Sequence, residues 1–70
     1  MSNSNLKIQN ITPENEIESS ILQDIKNALE FPETQNFILQ ITEDLRDSPE
    51  DYDYTQDDFD QFVFKYELNS

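Results

Sequence analysis

The sequence predicts a small all-α domain of three helices with a loose N-terminal arm. Three observations carry that expectation. Two apolar stripes repeat at helical spacing through the first two thirds of the chain. A helix-opening capping pattern, Thr55-x-x-Asp58, precedes the aromatic run near the C-terminus. Glycine is absent, which disfavours the tight hairpin turns of a β fold and leaves asparagine for any cap that needs φ > 0. The organisation expected is an arm over residues 1–12 and one domain over 13–70.

Within the arm, Leu6 and Ile8 alternate with Lys7 and Gln9, which fits a short strand as well as an arm laid over the helices. The first helix is expected over 13–30. Thr12 is a suitable N-cap, Pro13 suits the first helical position, and Glu14 and Glu16 set negative charge at the positive end of the dipole. Ile17, Ile21, Ile25 and Ala28, with Leu22 and Leu29 beside them, form its core stripe. Pro32 ends it, with Phe31 expected to plug the corner. A second helix over 33–47 opens at Glu33 and Thr34 and carries Phe37, Ile38, Ile41 and Leu45 on its apolar face, with Leu39 off that face. Ser48-Pro49 stops it.

Residues 49–54, PEDYDY, read as an exposed acidic loop with two aromatic residues. The run FDQFVFKYEL then fits two patterns. As a helix over 55–68, Phe59, Phe62, Val63 and Tyr66 share a face; as a strand, Phe62, Phe64, Tyr66 and Leu68 do. The helix is preferred, because the strand would have only residues 6–11 to pair with and a lone two-stranded sheet is marginal. The alternative is an α+β fold, β-α-α-β with paired terminal strands. The helical reading leaves Phe64 and Leu68 off the main apolar face.

Charge narrows the functional classes. Sixteen acids against four bases give a net charge of −12, which repels nucleic acid and anionic membranes alike. Neither direct nucleic-acid binding nor a membrane role is expected, and the natural partner is a basic protein surface. Without histidine or cysteine the common nucleophile–base arrangements and thiolate or imidazole zinc sites are excluded, and without glycine so are phosphate-cradling loops. No enzyme activity, cofactor or metal is expected. DYDYTQD spaces Asp51, Asp53, Thr55 and Asp57 like the start of an EF-hand loop, but Gln56 stands at the glycine position and Phe62 at the bidentate glutamate. The first ten residues hold one lysine and no apolar run, which predicts no secretion signal and a cytoplasmic location.

Half of residues 43–60 is acidic, with Arg46 the one base among them. This stretch supplies the candidate partner-binding residues: Asp47, Glu50, Asp51, Asp53, Asp57, Asp58 and Asp60 as charges, Tyr52, Tyr54 and Phe59 as interleaved anchors, and Phe64 beyond them. Aromatics within a charged patch supply affinity while the charges raise the association rate. The function expected is a small acidic protein-binding module, an inhibitor or adaptor of a basic partner. One alternative is a nucleic-acid mimic of the anti-restriction, anti-CRISPR or antitoxin type, in which carboxylates imitate phosphates. Another is a structural or assembly subunit, a homodimer for instance, in which the acids only solubilise. Small acidic inhibitors of phages and mobile elements, antitoxins and immunity proteins resemble this chain in size and charge alone.

Overall fold

The structure, a computed structural model, describes residues 8–30 and 36–68. Among these residues there are three α-helices, α1 (Glu16–Leu29), α2 (Phe37–Asp47) and α3 (Gln56–Lys65), a 3₁₀ turn at Pro49–Asp51, and no strand. Each helix packs against the other two. The domain is all-α, and the described residues do not support the β-α-α-β alternative. Ile8 and Gln9 are helical, and Ile8 lies in the core at 2% exposure, so the described part of the arm lies over the helices. Leu6, Phe31, Pro32, Glu33 and Thr34, to which roles were assigned above, lie outside the described residues.

Helix α1 starts later than Thr12-Pro13 suggests. Asn15 is the N-cap, and its Oδ1 accepts the Glu18 amide at 2.8 Å, satisfying one of the donors a helix start leaves open. Asn36 does the same for α2, accepting the Leu39 amide at 3.1 Å. Thr55 opens α3 with a full capping box. Its Oγ1 accepts the Asp58 amide at 3.2 Å, and its own amide donates to Asp58 Oδ2 at 3.1 Å. One base sits in the last turn of each helix, Lys26, Arg46 and Lys65, opposite the negative end of the dipole.

The core faces follow from these starts. In α2, Phe37, Ile41 and Leu45 are buried and Ile38 is half-buried, as the spacing predicts. In α1 the buried set is Glu18, Ile21, Leu22 and Ile25, the i, i+3, i+4, i+7 pattern begun one residue later than expected. Ile17 is therefore not core but 43% exposed. In α3, Phe59, Phe62 and Val63 are buried, Phe59 completely.

Helix α3 ends at Lys65, short of the expected 68, in a Schellman motif. Leu68 N–H donates to the Val63 carbonyl at 3.0 Å and Glu67 N–H to the Phe64 carbonyl at 3.2 Å. Glu67 adopts the left-handed conformation (φ 56°) that glycine usually fills, and asparagine does not take the role here. The reversal turns Leu68 back beside Val63 into the core, at 2% exposure. A continuous helix would have left it outside.

Candidate protein-docking face

The segment between α2 and α3 is held by its tyrosines. After the 3₁₀ turn the backbone extends at Tyr52 (φ −120°, ψ 148°) and bends at Asp53 and Tyr54. Asp51, Asp53 and Thr55 are exposed, Tyr52 is half-buried, and Tyr54 is buried. Expectation and structure differ here: residues 49–54 carry their acids outward but draw the aromatics inward. Tyr52 meets Tyr54 edge-on at 5.5 Å, and Tyr54 stacks on Phe59 at 6.5 Å. The Tyr54 hydroxyl donates to Asp24 Oδ2 at 2.7 Å and the Tyr52 hydroxyl to Asp44 Oδ2 at 3.2 Å, which ties the segment to α1 and α2.

A second polar cluster joins α1 to α3. Glu18 Oε1 accepts the Tyr66 hydroxyl at 2.7 Å and the Glu14 amide at 3.0 Å, and Glu18 Oε2 accepts Lys65 Nζ at 2.7 Å. Lys65 also donates to Glu14 Oε1 at 2.7 Å and lies over the Tyr66 ring. Burial pushes the Glu18 carboxyl up, but the hydrogen bonds from Lys65, Tyr66 and the Glu14 amide outweigh it and hold the group below its ordinary value. Hydrogen bonds to Glu14 and Glu18 push Lys65 up, and the bond to Glu18, with burial, pushes Tyr66 up. Burial and Asp44 push Tyr52 up to about 12, and burial and Asp24 push Tyr54 up further. All three tyrosines of the chain donate to carboxylates, so Glu18, Asp24 and Asp44 are structural acceptors rather than free charge.

The residues singled out from the sequence thus divide. Asp47, Glu50, Asp51, Asp53, Asp57 and Asp60 are exposed. Asp58 is half-buried and engaged in the capping box. Tyr54 and Phe59 are core, and Tyr52 is half-buried and hydrogen-bonded, so the interleaved aromatics hold the fold and present little surface to a partner. Phe64 is the opposite case, 84% exposed on α3. It lines an open groove of about 570 Å³ between α1 and α3, together with Ile17, Ile21, Phe62, Asp58 and Asp60. Ile17 also borders a second depression, with Glu16, Ser19, Ser20 and Asp53, which runs on through Ser19 and Ser20 to Asp51 and Tyr52. The groove meets the second depression at Ile17, so a run of surface from Phe64 to Asp51 passes around the start of α1.

Sequence reasoning missed the α1 side of this face. Asn15 offered a later N-cap than Thr12, but Ile17 turns outward because Glu18 takes the core position, satisfied by Lys65 and Tyr66 from the far end of the chain. Among the described residues no group of three or more acidic, histidine or cysteine side chains could hold a metal ion, so Asp51, Asp53 and Asp57 do not converge as calcium ligands. No helix in the described residues is long and apolar enough to cross a membrane. No protein-family model matches the chain, and comparison with curated proteins and with solved structures gives no significant match.

Proposed function

We propose that this chain is a non-enzymatic protein-binding module that engages a basic partner protein, as an inhibitor or adaptor, through the face from Phe64 to Asp51. The observation that carries the reading is Phe64. A phenylalanine 84% exposed, lining a groove with a half-exposed isoleucine and the outward Asp60, is apolar surface that a folded monomer gains nothing by displaying. Aromatic side chains of this kind are the usual anchors of protein interfaces, and a charged surround steers an oppositely charged partner. Phosphate imitation needs carboxylates alone, so the exposed phenylalanine favours protein docking over mimicry.

Affinity capture from the native lysate tests the reading, comparing the wild type with an Asp51, Asp53, Asp57 and Asp60→Asn variant. Asp58 is left intact because it caps α3. The expected result is a basic protein held by the wild type, re-formed as a complex from purified components, and lost in the variant, whose circular dichroism stays helical. Retention by the variant contradicts the reading. Loss of the captured protein on adding DNA would instead make the chain a nucleic-acid mimic.

A further inference from the structure

The acidic-module reading leaves open what the partner inserts between α1 and α3. We propose that the Phe64–Ile17 groove takes a cationic amphipathic segment of the partner, an aliphatic or aromatic side chain flanked by lysines or arginines. This rests on the reading above and deepens it.

The apolar centre is built from Phe64 (84% exposed) and Ile17 (43% exposed), over a floor that includes buried Ile21 and Phe62. Carboxylates stand on both sides of it. Asp58 and Asp60 line the groove on the α3 side, while Glu16 and Asp53 share the adjoining depression with Ile17. Lys65 is the one base lining the groove, and it is held by Glu14 and Glu18 at 2.7 Å each, so it does not reverse the local sign. An apolar side chain set on Ile17 and Phe64 leaves water, and its flanking cations then meet carboxylates in either direction. A second copy of this chain fits the same surface poorly. It also carries a charge of −12, and its own acids would face those around the groove.

The test titrates the isotope-labelled full chain with a short amphipathic peptide of leucine and lysine, and separately with an all-lysine peptide of equal charge, following backbone amide resonances. The leucine-containing peptide is expected to bind about tenfold more tightly, with saturable shifts centred on Ile17, Asp53, Asp60 and Phe64. Phe64→Ser should abolish that preference without changing the melting temperature. Equal affinity for the two peptides overturns the apolar anchor yet leaves the acidic-module reading standing, because capture by charge is measured separately. Shifts centred on Asp47 and Glu50, or no binding of the leucine-containing peptide, overturn the proposed groove. Concentration-dependent shifts of Ile17 and Phe64 without peptide would show a second copy on this face, and overturn it as well.

Discussion

Glu18→Gln removes a charge from the cluster that joins α1 to α3 while keeping its shape. The wild-type carboxylate accepts from Lys65, Tyr66 and the Glu14 amide, and hydrogen bonds to a charged acceptor are the stronger kind. With the Lys65 side open to solvent, the variant should lose about 1–2 kcal/mol at neutral pH. The carboxyl lies below its ordinary value of 4.5 in the fold. Its contribution is therefore fully present above that value and is lost as pH falls through the lower folded one. Urea unfolding of both proteins across the acid range checks this. Their stability gap should hold at neutral pH and close below about pH 4.5. A gap that stays constant into strong acid would mean that the Glu18 charge does not contribute. Using the difference between two proteins removes the repulsion among the other acids, which is common to both.

The end of α3 depends on a backbone conformation that a side chain resists. Glu67→Gly and Glu67→Val both discard the carboxylate, so their difference isolates φ at this position. Glycine should be the more stable by about 1–2 kcal/mol, since a left-handed residue with a β-branched side chain is strained. Equal chemical-denaturation midpoints would mean that the Schellman ending is not formed. Phe59 and Phe64, five positions apart on α3, make opposite cases. Phe59→Ala removes a completely buried ring and should cost about 3–5 kcal/mol, a large fraction of what holds a domain this small together. Phe64→Ala should stay within about 0.5 kcal/mol of wild type. Thermal melts of the two variants decide it. Much of α2 and α3 was legible because the signals were local: Thr55 with Asp58, Ser48-Pro49, and the 37, 41, 45 stripe. The first turn of α1 was not. Glu18 takes a core position only because Lys65 and Tyr66, from the far end of the chain, satisfy it, and no local pattern reports that.

Across the whole molecule the acids serve two purposes that the sequence does not separate. Glu18, Asp24, Asp44 and Asp58 accept internal hydrogen bonds, whereas Asp51, Asp53, Asp57 and Asp60 face outward. The acidic half of the candidate face was readable from charge density in 43–60. Its apolar half, Ile17 beside Phe64, required the packing of α1 on α3. Along DYDY the two acids are exposed while the two tyrosines turn inward, a division that the packing of Tyr54 on Phe59 carries. The internal bonds also set an alkaline limit. Tyrosines ionise near 10.0 when free, but burial and Asp44 raise Tyr52 to about 12, and Tyr54 and Tyr66 are raised as well. Stability is then complete below about pH 10 and falls as pH rises through these folded values, because the unfolded chain releases the protons first. Tyrosinate absorbance should therefore appear together with loss of helical circular dichroism. Ionisation at pH 10 with the helices intact would contradict the hydroxyl–carboxylate pairs. Added salt should raise the melting temperature by screening the excess of outward acids.

The most direct test of the account is the binding kinetics of the captured partner with wild type and Phe64→Ala. If Phe64 anchors a charge-steered interface, the variant should dissociate at least about tenfold faster while associating at nearly the wild-type rate. Unchanged dissociation, with a melting temperature equal to wild type, would show that the partner does not use this face.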